Sequence, residues 1–130
     1  MIVIDTSALV AILREEPEAS LFANAIGEAE RCFFSAVGLF EASMVMVGRG
    51  PVESAQGLDN LITELSVEIV PFDDEQARQS RAAFIRFGKG RHPAGLNFGD
   101  CVSYALARSM DLPLLFKGED FARTDVVSAR

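Results

Sequence analysis

Ile2-Val3-Ile4-Asp5-Thr6-Ser7-Ala8-Leu9-Val10-Ala11-Ile12-Leu13 decides the fold. Three β-branched residues in a row, with no polar alternation, read as a strand buried on both faces, as in the centre of a parallel sheet. Asp5 ends the strand. Thr6 or Ser7 then caps a helix over Ala8 to Leu13. A buried strand feeding straight into a helix is the opening half of a βαβ unit, so the rest of the chain must supply parallel partner strands and helices for both sheet faces.

Reading outward finds them. Pro17 opens a second helix, which runs to Ile26 and is ended by Gly27. Cys32-Phe33-Phe34 is a second strand, and Ser35 caps a helix over Val37 to Val47. Pro51 to Leu65 is a further helical stretch, and Val67 to Val70 is a third strand. Asp73 or Asp74 caps a helix to Phe87. Lys89 to Leu96 is a loop, and Asn97 caps a helix from Phe98 to Met110, with Asp100 at capping-box spacing. Leu114 to Phe116 is a fourth strand and Val126-Val127 a candidate fifth. The expected fold class is α/β: a three-layer α/β/α sandwich on a mostly parallel sheet of four to five strands. At 130 residues the chain is the size of one domain, read here as 1–130.

Composition narrows the function. Hydrophobic residues make up 49% and charged residues 24%, as in a soluble globular protein. The longest apolar run, Val37 to Val47, is interrupted by Glu41 and is too short to cross a membrane. Met1 to Asp5 lacks the basic start of a signal peptide, so the default expectation is a cytoplasmic location. Cys32 and Cys101 stand far apart and His92 is the single histidine, so neither a structural zinc site nor a histidine-based triad is available. The net charge of −7 disfavours a general nucleic-acid binder. Yet Gln76 to His92 holds no acid and five cations, Arg78, Arg81, Arg86, Lys89 and Arg91. Such a stretch is either a solvated helix face or a contact for a polyanion.

The acids are the more pointed signal. Ligands of parallel sheets bind beyond the carboxyl ends of the strands. Asp5 stands at that end of the first strand, and Glu119 and Asp120 follow the fourth. Asp100 lies in the first turn of a helix. Glu41 lies in a helix apolar nearly all round, which should therefore be buried, and a buried lone carboxylate is costly. Taken singly, Asp5 and Asp100 are also good helix caps, Asp120 a good turn residue and Glu41 a helix-edge residue. Taken together, four carboxylates at one edge repel unless divalent cations neutralise them. Oxygen donors without His or Cys select Mg²⁺ or Mn²⁺, which suit phosphoryl chemistry.

The ordered set resembles the PIN-domain ribonucleases, and within them the VapC toxins of type II toxin–antitoxin modules. It is carried by Ile2 to Leu9, by Phe40-Glu41, by Gly88 to Cys101 with its Asn97-Phe98-Gly99-Asp100 core, and by Leu114 to Phe121. The resemblance implies a Mg²⁺-dependent endoribonuclease, with Mn²⁺ as a substitute, that cleaves RNA and is held inactive by a VapB-type antitoxin. It implies Asp5 and Asp100 as principal metal ligands, Glu41 as the third acid and Asp120 or Glu119 as the fourth. Many relatives carry that fourth acid two residues before Asp120, where this chain has Gly118. Thr6 and Ser7 are supporting residues near the metal. Arg78, Arg81, Arg86, Lys89, Arg91 and His92 are then candidate RNA contacts. The resemblance also implies a homodimer and a toxin–antitoxin hetero-oligomer, with an antitoxin Arg or Lys competing for the carboxylates. Two other readings stand beside this one. A phospho-receiver domain would share the length, the acidic pocket and a lysine like Lys117 after a late strand, but it needs an early acid pair. A non-catalytic PIN-like module would keep the fold and not the chemistry.

Overall fold

The structure is a computed structural model and describes residues 1–130. Four strands form one sheet: β1 (Ile2–Ile4), β2 (Cys32–Ser35), β3 (Val67–Val70) and β4 (Leu114–Leu115). Six helices connect them: α1 (Thr6–Leu13), α2 (Ala19–Glu28), α3 (Ala36–Gly48), α4 (Ser54–Glu64), α5 (Asp74–Phe87) and α6 (Phe98–Met110). The sheet order is β3-β2-β1-β4 and every pairing is parallel. The first strand is thus central, as its unbroken apolar run requires. The order also excludes a receiver domain, whose doubly wound sheet runs 2-1-3-4-5.

Side-chain alternation splits the interior into two cores. Ile2, Ile4, Cys32, Phe34 and Leu115 point to the face covered by α1, α2, α3 and α4. Val3, Phe33 and Leu114 point to the opposite face, under Ala83 and Phe87 of α5 and Leu106 and Ala107 of α6. The period of two along a strand therefore produces the three layers.

Several local expectations are corrected. The cap of α1 is Asp5 itself, and Thr6 and Ser7 lie inside the helix. α2 continues through Gly27 to Glu28. Val126-Val127 makes no strand; one parallel bridge, Leu114 to Ser128, is all that forms at that edge. The buried α3 is the largest correction. Only Gly38 and Ala42 are buried, while Phe40 is 67% and Met44 59% exposed. The small residues one turn apart make a narrow stripe on which the helix packs, and the larger apolar side chains project away from it. Both cysteines are free and buried. No helix is long and apolar enough to cross a membrane.

Candidate active site

The site lies where β1 and β4 end and α1, α3 and α6 meet. β1 delivers Asp5, which caps α1 in an extended conformation: its Oδ2 accepts from Ser7 N (3.0 Å) and Ser7 Oγ (2.6 Å). Ser7 Oγ in turn accepts from Lys117 N just past β4 (3.0 Å). One hydroxyl thus ties the ends of the two neighbouring strands to the carboxylate. α6 delivers Asp100 through a reciprocal capping box. Asp100 N donates to Asn97 Oδ1 (2.9 Å) and Asn97 N donates to Asp100 Oδ2 (3.0 Å). Asn97 is held in place because Leu96, fully buried, donates from its N–H to Phe87 O (2.9 Å), closing the loop back onto the end of α5. Capping and site are the same geometry here.

A cavity of about 270 Å³ opens at this point. Asp5, Glu41, Asp100 and Asp120 all line it, with Thr6, Ser7 and Asn97 around them. Glu119 is exposed and does not line it, so the fourth acid of the cavity is Asp120. Glu41 reaches in from α3 because Gly99 leaves room. A Cβ on Gly99 would stand 2.3 Å from Glu41 Oε2 and 2.7 Å from Oε1.

Burial is the chief cause that raises three of the carboxyls. Asp5 is pushed up by burial, opposed by the nearby Ser103 hydroxyl and by the hydrogen bonds from Ser7, with the Asp120 charge adding to the rise. Glu41 is pushed up by burial, opposed by the neighbouring Thr6 hydroxyl, with Asp5 adding to the rise. Asp100 is pushed from the ordinary 3.8 to about 7 by burial, opposed by the Asn97 N–H and reinforced by Asp5, Asp120 and Glu41. Helix starts favour negative charge, but desolvation and like charge outweigh that here. No three of the chain's acid, histidine or cysteine side chains are grouped tightly enough to hold an ion between them. Each main ligand candidate instead spends oxygens on its own helix start.

The basic stretch is dispersed rather than gathered at the cavity. None of Arg78, Arg81, Arg86, Lys89, Arg91 or His92 lines it. Arg78 pairs with Asp74 (3.0 Å). Arg86 pairs with Asp125 (3.2 Å), which also accepts from Tyr104. Arg91 Nε donates to Ile85 O (3.1 Å), and His92 Nδ1 accepts from Ala94 N (3.0 Å). Arg81 and Lys89 form no ion pair.

Four residues of the site carry no role in the ribonuclease reading of the sequence. Gly99 makes room for Glu41. Ser103, one helical turn after Asp100 and buried, lies beside Asp5 and favours its charged form, and its i+3 spacing is a usable signal. Arg49 and Lys117 are the two cations of the cavity wall. Arg49 completes an i, i+4, i+8 line with Glu41 and Val45 on α3, all three lining the cavity.

The fold and site define an α/β protein with a carboxylate-lined cavity at the C-terminal edge of a parallel sheet, suited to a hard divalent cation. The chain belongs to the PIN domain family, whose model matches residues 2–127. Within that family it groups with the VapC ribonucleases. It is 47% identical over 126 residues to Ribonuclease VapC of Mycolicibacterium smegmatis, covering 97% of this chain and 98% of the relative. It is 44% identical over 128 residues to Ribonuclease VapC28 of Mycobacterium tuberculosis, covering 98% and 96%. In fold it is similar to M. tuberculosis VapC20, described as a sarcin-ricin loop cleaving toxin, with a TM-score of 0.80 at 15% identity over 98% of this chain and 97% of the other. It is also similar to a chain of VapBC2 from Rickettsia felis, a complex bound to a promoter DNA fragment, with a TM-score of 0.76 at 14% identity over 98% and 96%.

Proposed function

We propose that this protein is a Mg²⁺-dependent endoribonuclease, the toxic half of a VapBC-type toxin–antitoxin pair. The observation that carries the reading is the convergence of Asp5, Glu41, Asp100 and Asp120 on one cavity, with three of them pushed up chiefly by burial and further by one another's charge. The donor set fits the ion: carboxylate oxygens with no sulfur or imidazole suit Mg²⁺, and Mn²⁺ can take its place. Asp5 and Asp100 would hold the ion as its principal ligands, with Glu41 and Asp120 lining the same cavity to add negative charge around it. A bound Mg²⁺ supplies an activated water and offsets charge on the phosphoryl group. Ser7 and Ser103 orient the Asp5 carboxylate, and Thr6 supports Glu41. Asn97 orients Asp100. With its carboxyl pushed up to about 7, Asp100 holds its proton into the neutral range, and an ion bound there would favour the ionised form.

The homologues' names and the toxin–antitoxin complexes among the structural neighbours support the antitoxin partner. An antitoxin Arg or Lys inserted among the carboxylates would displace the cation by competing for the same oxygens. Phe40 and Met44, exposed on α3, support a protein-covered face and a homodimer. Arg81, Lys89 and Arg91, the cations of the basic stretch without an acidic partner, attract RNA from a distance. The reading places the protein in the cytoplasm with its RNA substrate.

Induced expression in a bacterial host, with total RNA mapped for new ends, tests the reading. Growth arrest with discrete new RNA ends is expected, relieved by the cognate antitoxin and absent in an Asp5→Asn, Asp100→Asn variant. Arrest that persists unchanged in the variant would sink it.

A further inference from the structure

The cavity wall carries two cations, and they are not equivalent. Lys117 Nζ is held by Glu16 (2.6 Å) and Glu18 (3.5 Å). Its charge is spent on two acids at the rim. Arg49, at the C-terminal end of α3, forms no ion pair or side-chain hydrogen bond and is exposed. It nevertheless lines the same cavity as the four carboxylates, two turns along α3 from Glu41. The guanidinium thus lines a cavity with four acids and is paired to none of them. Its five donors remain open to solvent and to whatever enters.

We propose that Arg49 is the residue that grips an RNA backbone phosphate at the mouth of the cavity. This rests on the ribonuclease reading above and adds a substrate-binding residue to it. An acidic cavity repels a polyanion, so an uncommitted cation at its edge is where the strand gains the most. Arginine suits the role because its planar fork matches two phosphate oxygens at once. The basic stretch of residues 76–92 does not reach the cavity, and its Arg78 and Arg86 are paired to aspartates. Arg49 therefore does locally what that stretch cannot. The contact is made in the ground state and the transition state alike, so it raises affinity more than the rate of the bound complex.

The test uses the full chain and a labelled oligoribonucleotide spanning a cleavage point mapped with total RNA. KM, kcat and the salt dependence of KM are measured for the wild type, Arg49→Ala, Arg49→Lys and Arg31→Ala, the last a surface cation paired to Glu68 away from the cavity, with Mn²⁺ affinity by calorimetry for each. Losing a charge-assisted contact should raise KM roughly 10- to 100-fold in Arg49→Ala. The log–log salt slope should shrink by about 0.7, one single-strand phosphate. kcat should stay within a few-fold and Mn²⁺ affinity should not move. Arg49→Lys should recover the slope but only part of KM, and Arg31→Ala should match the wild type. A wild-type KM and slope in Arg49→Ala would overturn the proposal. So would a shift in Mn²⁺ affinity as large as the shift in KM, which would make Arg49 a field effect on the carboxylates. Failure of the wild type to cleave any RNA would instead sink the ribonuclease reading, and the Arg49 role with it.

Discussion

Gly99→Ala separates the placement of Glu41 from the stability of the fold. The new Cβ would meet Glu41 Oε2 at 2.3 Å and Oε1 at 2.7 Å. Carbon in ordinary contact stands near 3.5 Å, so the carboxylate must retreat by about 1 Å. It can do so, because these atoms are the free end of a flexible side chain and not backbone. Alanine also favours the helix by up to about 1 kcal/mol over glycine. The melting temperature is therefore expected to hold or rise slightly. RNA cleavage is expected to fall by about 100-fold, the usual consequence of a 1 Å misplacement in a site. The assays are thermal unfolding followed by circular dichroism, and initial cleavage rates with Mg²⁺. Glu41→Gln, which keeps the volume, should lower cleavage without a change in packing. Wild-type cleavage by Gly99→Ala would refute the claim that Glu41 must stand where Gly99 lets it. A loss of several kcal/mol in stability would refute the claim that the carboxylate yields.

Three further outcomes follow from the same geometry. Asp100 binds its proton up to about pH 7 when folded against 3.8 ordinarily, so the folded state holds the extra proton between those values. Metal-free protein should accordingly lose stability as pH rises from about 4 to about 7. Mg²⁺ should restore more stability at pH 7.5 than at pH 5, and Asp100→Asn should flatten the slope; thermal unfolding in EDTA across this range checks it. Ser7→Ala removes the hydroxyl shared by Asp5 and Lys117 N and should cost about 1 kcal/mol together with a fall in cleavage, read by urea unfolding and initial rates. Asn97→Ala opens the capping box and should cost about 1 kcal/mol. It should weaken Mn²⁺ binding as well, since Asp100 loses its anchor, whereas a cap-only role would leave calorimetry unchanged.

The parts legible from the sequence are those with local causes. Ile2 to Ile4 reads as a central strand because nothing polar interrupts it, and it is fully buried between two partners. Asn97 and Asp100 read as a capping box because the spacing is local, and both hydrogen bonds form. The convergence of the four acids was legible from their positions at strand ends and helix starts. Less legible were features set by packing between distant elements. α3 reads as buried from composition, yet the stripe that packs is only Gly38 and Ala42, and amphipathicity made by size rather than polarity leaves no hydropathy signal. Arg86 reads as available for RNA, but Asp125, far along the chain, claims it. Arg49 draws no notice beside a run of five cations, although its spacing from Glu41 and Val45 places it on the cavity wall.

The central claim is that the four carboxylates form a metal-dependent ribonuclease site. Purified, antitoxin-free protein incubated with total RNA tests it most directly, with Mg²⁺, Mn²⁺ or EDTA, beside the Asp5→Asn, Asp100→Asn variant. Discrete RNA fragments that require the metal and vanish in the variant are the expected result. Cleavage that survives EDTA, or that the variant retains, would contradict it.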